Sequence, residues 1–365
     1  MAKKLASDKV LFTVVVLLVG LGLVMVYSAS AAVAREQVGA DSPVGNPFLV
    51  KQLVAAAIGL TGMLVAMHVD YRRLKEPAVI YALLTGLCVL LVLVLFQPVV
   101  NGTRRWFLLG PLSFQPSELA KLVLIPYLAY QIERKAGEVN RPEMLVPAGV
   151  ATALVAGLIL LQPDYGTAVL LVGTAGLMIF LAGLAWRYMA LGGLVVAPVL
   201  AVLMVSEGYR RERLFAFLDP MADPLGAGYQ VLQSLIAVGA GGVFGVGLGN
   251  SGQKLLYLPH PHSDFIYAIV AEELGMIGAL TVVALFLVLL WRGVRAALHA
   301  PDLFGRYLGL GLTAVLVLQA LINVSVAIAL LPTKGIPLPF LSYGGSSLVV
   351  SMTAAGMLLN LSEHG

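Results

Sequence analysis

The chain has 365 residues, 59% hydrophobic and 12% charged, with a formal net charge of +4 and a mean hydropathy of +0.94. Soluble domains carry about 25% charged residues, so this composition excludes a water-soluble globular protein. The small positive excess sits in short loops, which points to membrane topology rather than nucleic-acid binding. The single cysteine, Cys88, lies within an apolar run, which excludes an intrachain disulfide and a Cys/His metal cluster.

The first predicted element is the apolar run 10–33, preceded by Lys3, Lys4 and Lys9. It is longer than the hydrophobic region of a signal peptide and reads as an uncleaved first span. Further runs follow at 48–68, 77–96, 118–131, 144–161, 166–183, 188–206, 266–291, 307–331 and 344–361. Most approach the ~20 residues needed to cross a bilayer; 118–131 is the shortest. Runs of this length are helices rather than alternating barrel strands. The expectation is an all-α polytopic membrane protein of about ten transmembrane helices. It forms one transmembrane domain over 1–365, with a large extracytoplasmic loop at 207–265 between the seventh and eighth spans.

Orientation follows from Lys and Arg. With the N-terminus inside, the cytoplasmic segments hold thirteen: Lys3, Lys4, Lys9, Arg72, Arg73, Lys75, Arg134, Lys135, Arg141, Arg187, Arg292, Arg295 and Arg306. The short outer segments hold six: Arg35, Lys51, Arg104, Arg105, Lys121 and Lys334. This asymmetry predicts both termini in the cytoplasm. The long outer loop contains an amphipathic piece at 228–240 and a glycine-rich stretch at 239–252, and loops of that length are usually functional.

Three outer segments carry the residues able to do chemistry. The first runs from Asn101-Gly102-Thr103-Arg104-Arg105-Trp106 to Gln115-Pro116-Ser117-Glu118-Leu119-Ala120-Lys121. Ser117 can cap the fourth span. Glu118 and Lys121, three apart, share a helix face; they either pair with each other or join Arg105 in an outward-facing anion site, arginine being suited to a bidentate grip on phosphate. The second is Gln253-Lys254 through Tyr257-Leu258-Pro259-His260-Pro261-His262-Ser263-Asp264. Asp264 reads either as a helix N-cap or as a general base raised by desolvation, and His260 and His262 alone are a weak metal signal. The third is Pro332-Thr333-Lys334-Gly335-Ile336-Pro337-Leu338-Pro339-Phe340 and Leu341-Ser342-Tyr343-Gly344-Gly345-Ser346-Ser347. Irregular backbone at this depth is tolerated only where it is buried or lines a cavity, so Lys334 is placed at a cavity edge or snorkels to the interface. Glu272 is expected to pair with a basic residue on a neighbouring helix, and Gln162-Pro163-Asp164 to form a structural turn. No Walker or Rossmann context surrounds the glycine-rich stretch.

Taken in order, these segments resemble the SEDS family (shape, elongation, division and sporulation proteins) over nearly the whole chain. The resemblance rests on Met25-Val26-Tyr27-Ser28-Ala29-Ser30, Arg105-Trp106, 115–121, Gln162-Pro163-Asp164, Asp223 to Gln230, 253–273 and 337–347. Gly245 to Ser251, Gln253-Lys254, Tyr257-Leu258-Pro259 and Thr333-Lys334-Gly335 lean toward the division branch rather than the elongation branch. The resemblance implies a peptidoglycan glycosyltransferase that polymerises lipid II outside the cytoplasmic membrane and releases undecaprenyl pyrophosphate. The family's outer-loop aspartate matches Asp264, implying the general base; its basic residues match Arg105, Lys121 and Lys334, which would steady the leaving pyrophosphate. Glu118, His262 and Lys254 join the expected substrate-binding set. The family pattern Pro-Glu-x-His-Thr-Asp is altered here, with His260 in place of the glutamate and Ser263 in place of the threonine.

The implied partners are lipid II, a class B penicillin-binding protein supplying transpeptidase activity, and other divisome membrane proteins at the septum of the bacterial cytoplasmic membrane. An elongation polymerase, a lipid II flippase and a non-catalytic division scaffold are the alternatives. No cofactor is fixed by these residues, and a divalent cation, Mg or Mn, is left open.

Overall fold

The computed structural model describes residues 7–38, 46–100, 102–110, 112–206, 208–255 and 257–364. Lys3, Lys4, Asn101, Glu207 and Leu256 lie outside the described residues. In chain order the helices are α1 (Lys9–Val38), α2 (Pro47–His68), α3 (Pro77–Leu93), α4 (Pro116–Arg134), α5 (Pro142–Leu160) and α6 (Tyr165–Leu181). They continue with α7 (Trp186–Val205), α8 (Gly208–Leu218), α9 (Tyr229–Ala240), α10 (Ile266–Leu298), α11 (Leu303–Ala327) and α12 (Gly345–Ser362). Four of these open on proline (α2, α3, α4 and α5), whose fixed φ suits the first turn and whose missing N–H costs nothing there. Carboxylate caps start two others: Asp164 accepts from the Thr167 amide at 3.2 Å, and Asp302 from the Gly305 amide at 2.7 Å.

Each predicted apolar run falls on one of α1–α7 or α10–α12. Among the described residues, seven helices (α1, α2, α3, α5, α10, α11, α12) are long and apolar enough to cross a membrane, so the chain is a multi-pass helical membrane protein. The packed centre is formed by α4, α10, α11 and α12. Helices α2 and α12 approach so closely that a Cβ on Gly356 would meet the Met63 carbonyl at 2.4 Å, the small-residue contact that lets membrane helices pack without a hydrophobic drive. Helix α7 turns Leu191, Leu194, Val195 and Val202 outward, a surface that only lipid or a partner helix solvates. At the end of the bundle where α1 begins, Arg292 is bonded to Asp8 at 2.6 Å, and Tyr71 and Arg72 both reach Asp302, at 3.0 and 3.2 Å.

Two elements were absent from the sequence expectation. A short antiparallel hairpin, β1 (Phe107–Leu109) with β2 (Leu112–Phe114), precedes α4 and turns at Gly110, whose φ is +64°. The start of the long loop forms α8, while the expected amphipathic piece at 228–240 is α9.

The long α10 is broken. Gly275 adopts φ 67°, ψ −167° within it, a region open in practice only to glycine. The freed backbone groups are met by the glycine-rich loop. The amides of Val246 and Gly247 donate to the carbonyls of Glu272 and Glu273, both at 3.0 Å, and the amides of Met276 and Ile277 donate to the carbonyls of Gly242 and Val243, at 2.9 and 3.3 Å. Above the break, the Tyr267 hydroxyl reaches the Ala279 carbonyl at 3.3 Å. A straight helix would hold those residues roughly 18 Å apart along its axis, so Ile266–Leu274 folds back across the outer end of the bundle.

Candidate functional site

At the end of the bundle opposite the start of α1 lie two irregular stretches, the close of the long loop (257–265) and the segment 328–344 between α11 and α12. Backbone bonds stitch them together: the Tyr343 amide donates to the His262 carbonyl at 2.8 Å, and the Ser342 hydroxyl donates to the Ser263 carbonyl at 2.6 Å. Where they meet, one pocket is lined by Arg213, Gln230, His260, Asp264, Phe265, Thr333, Lys334 and Gly335. It therefore draws on α8, α9, the loop before α10 and the loop after α11.

Asp264 is not the helix cap. Helix α10 begins after Phe265 and has no side-chain cap, leaving the carboxylate to the pocket, where among the described residues it makes no ion pair. Burial pushes its carboxyl above the usual aspartate range, while His260, Arg213 and Arg105 and a bond from Ser263 pull part of the way back. A carboxylate held in this way is a stronger base than one in water. Lys334 stands over the Tyr165 ring, 4.8 Å from its centroid, and burial lowers its ammonium below the ordinary lysine value. Arg105 lies within electrostatic reach of Asp264; its Nε is buried without a hydrogen-bond partner, an unspent donor beside the pocket.

The remaining predicted site residues lie elsewhere. Lys121 is buried on α4, bonded to Glu118 at 2.7 Å and to Oε1 of Gln319 at 2.7 Å; of the two readings open for this pair, mutual pairing is what the geometry shows. Lys254 is bonded to Glu273 at 2.9 Å and to Ser28 at 3.0 Å, below the pocket and beside the break in α10. His262 packs its ring against Phe48 and Tyr343, with centroids at 4.7 and 5.4 Å. Burial, with neighbouring His260, pushes its imidazole down to about 4, so it is neutral at physiological pH and acts as packing.

Two smaller expectations also change. Among the described residues Glu272 pairs with no base: it accepts from the Ser251 hydroxyl at 2.5 Å and the Gly252 amide at 2.9 Å, and Glu273 takes the lysine. Ser117 does not cap α4. Its hydroxyl donates to Asp164 at 3.0 Å, and Gln115 donates to the same oxygen at 3.0 Å, which ties the Gln162-Pro163-Asp164 turn to α4. Arg213, Gln230 and Thr333 line the pocket; from sequence, Gln230 and Thr333 stand out only as parts of family-like segments, and Arg213 not at all. The available signal was the charge cluster Arg210-Arg211-Glu212-Arg213 just past the seventh apolar run.

The protein donors present do not form a complete metal site by themselves. Among the described residues no three His, Cys, Asp or Glu side chains group closely enough to hold a metal. The pocket holds one carboxylate beside a lysine, an arginine and a histidine, so a divalent cation there would draw its other oxygen ligands from substrate phosphates and water.

Comparison with known proteins places this geometry. The family model FTSW_RODA_SPOVE, described as cell cycle protein, matches residues 8–365. A relative named probable peptidoglycan glycosyltransferase FtsW, from Trichlorobacter lovleyi, is 43% identical over 97% of this chain and 93% of its own. Stage V sporulation protein E of Bacillus subtilis is 42% identical, covering 99% of this chain and 98% of its own. A chain from a structure on the coordination of polymerization and crosslinking by a peptidoglycan synthase complex superposes with TM-score 0.79 at 35% identity, covering 98% of both.

Proposed function

We propose that this chain, which belongs to the FtsW/RodA/SpoVE family of cell cycle proteins, polymerises lipid II at the outer face of the cytoplasmic membrane with Asp264 as its general base. The relatives carry the coarser statement: the chain is a peptidoglycan glycosyltransferase. The single observation that carries the finer one is the pocket in which the Asp264 carboxylate, in no ion pair among the described residues, faces Arg213, His260 and Lys334.

In this reading Asp264 accepts the proton of the acceptor sugar hydroxyl as that oxygen attacks the anomeric carbon of the donor. The bond from that carbon to the lipid pyrophosphate breaks, and the developing negative charge falls to Lys334, Arg213 and Arg105. Groups fixed where charge develops are worth more in a water-poor pocket than in bulk solvent. Depth agrees with a lipid-linked substrate. Asn323, whose side chain reaches the Asp264 carbonyl at 2.9 Å, stands about 30 Å along α11 from Leu303 at 1.5 Å per residue, the thickness of a hydrocarbon core. The central turns of the predicted spans hold no Asp, Glu, Lys or Arg, so no charged path for a pyrophosphate crosses the bilayer. That favours chemistry at one face over flipping.

The division role follows the FtsW relatives, with both termini in the cytoplasm and action at the septum. The likeness to a chain of a peptidoglycan synthase complex supports pairing with a class B penicillin-binding protein that crosslinks the product. The test is polymerisation of lipid II by the purified chain with that transpeptidase, read as glycan polymer on a gel. Wild type makes polymer, and Asp264→Asn loses about 10²–10⁴-fold, the usual range for a positioned base. Equal polymer from both removes Asp264 from this role.

A further inference from the structure

The pocket is built where two stretches of irregular backbone meet, and hydrogen bonds rather than a shared sheet or helix hold them together. Asn323 on α11 sets their spacing at the position of the base. Its Nδ2 donates to the Asp264 carbonyl at 2.9 Å and to the Ile336 carbonyl at 2.8 Å. One amide group thus spends its two protons on the two sides of the pocket. Its orientation is not ambiguous: both neighbours are acceptors, so the nitrogen must face them. The Oδ1 atom is buried without a partner, and the residue is 1% exposed. An orphaned buried acceptor is a cost that an apolar residue of the same shape would avoid, so the amide is there for its donors.

A second amide one helical turn earlier reinforces the same segment. Nε2 of Gln319 donates to the Pro337 carbonyl at 2.7 Å, and its Oε1 accepts from Lys121 at 2.7 Å, while Lys121 is held by Glu118 at 2.7 Å. The buried ion pair on α4 therefore orients Gln319, and Gln319 and Asn323 together pin residues 336–337 from one face of α11. Neither amide lines the pocket. The pinned segment runs close to the base: a Cβ on Gly335 would lie 3.1 Å from the Asp264 carboxylate, so the position of this backbone bounds the space open to the carboxylate.

We propose that Asn323 is a positioning residue for glycosyl transfer, fixing the distance between the Asp264 carboxylate and the Lys334 ammonium through the backbones that carry them. This rests on the reading of Asp264 as base. Misplacing reacting groups by about 1 Å can cost on the order of 10²-fold in rate, and that is the scale at stake when the amide is removed.

The test uses the full chain with its transpeptidase partner, initial rates of lipid II polymerisation against lipid II concentration, and the folded fraction from size-exclusion chromatography. Asn323→Leu keeps the side chain's shape and removes both donors. Its kcat per folded molecule falls between tenfold and a hundredfold while KM stays within threefold. Gly335→Ala, which crowds the carboxylate without touching α11, lowers kcat at least threefold, again with KM little changed. A purely structural role would reduce the folded fraction and leave kcat per folded molecule intact. If Asn323→Leu fails to fold, Gly335→Ala decides: an unchanged kcat overturns the proposal, and a loss of kcat supports it. Wild-type rates from Asn323→Leu beside an inactive Asp264→Asn overturn the positioning role alone. Full activity in Asp264→Asn overturns the reading beneath it.

Discussion

Replacing Gly275 with alanine should unseat the glycine-rich loop from α10. The backbone there, φ 67° and ψ −167°, costs a residue with a side chain about 1–3 kcal/mol. The new Cβ would lie 2.3 Å from the Gly245 nitrogen and 2.5 Å from the Val243 oxygen; these are backbone atoms, which cannot rotate away. The loop must withdraw, and with it go the four bonds that join 242–247 to 272–277. At about 0.5–1.5 kcal/mol net each, those bonds contribute roughly 2–6 kcal/mol. The smallest sum is about 3 kcal/mol. At roughly 2 °C per kcal/mol for a large domain, Tm in detergent should drop by at least about 6 °C, with faster proteolysis within 241–252. Gly239→Ala is the control. It sits in α9 with nothing within 4 Å of its Cβ and should be neutral or raise Tm slightly. A Gly275→Ala protein melting within about 1 °C of wild type would refute the account of the break.

Two further outcomes separate the charges of the outer face. Lys334→Met should leave Tm near wild type and reduce kcat by about 10²–10³-fold, the loss typical when one donor to a developing charge is removed. Lys121→Met should act oppositely, lowering folded yield and Tm, because a buried pair broken on one side costs about 3–5 kcal/mol; the paired measurement of melting and polymer yield distinguishes them. The third concerns pH. In the proposed mechanism Asp264 works as its carboxylate, so the rate falls as pH drops through its raised pKa. Arg213 is one of the groups holding that pKa down. Arg213→Gln should therefore move the acid limb of the kcat–pH profile to higher pH, and an unmoved or lowered limb contradicts the assignment.

The apolar runs were legible because bilayer thickness imposes their length, and the Asp264 and Lys334 segments because irregular backbone at that depth demands a cavity. The α10 break was not legible. Leu274-Gly275-Met276-Ile277 reads as ordinary apolar helix, and only its contact with a loop thirty residues earlier shows why glycine is required. Glu118 and Lys121 could be seen to share a helix face from their spacing of three, but spacing says nothing of what lies opposite. Gln319, two hundred residues away, turned the pair into scaffold. Arg213 was missed because a charge cluster in a long loop has no fixed address until the loop folds over the pocket.

The sorting of partners among the buried charges separates frame from site. Lys121 and Lys254 each have a glutamate at hydrogen-bond distance, 2.7 and 2.9 Å. A phosphate could recruit either ammonium only by stranding a carboxylate in a water-poor interior, at a cost near that of breaking any buried pair. Lys334 faces the π-surface of Tyr165 instead. An aromatic ring steadies a cation without bringing a counter-charge, so the ammonium stays available to an incoming anion. Asp264 follows the same logic with the sign reversed: surrounded by cations yet in an ion pair with none among the described residues, it keeps a pKa raised by burial and only partly offset by those cations, and beyond the bond from Ser263 its lone pairs stay open. Charges left unpaired at this depth are expensive, and here they are confined to one pocket, where a substrate bearing both a pyrophosphate and a hydroxyl would pair them.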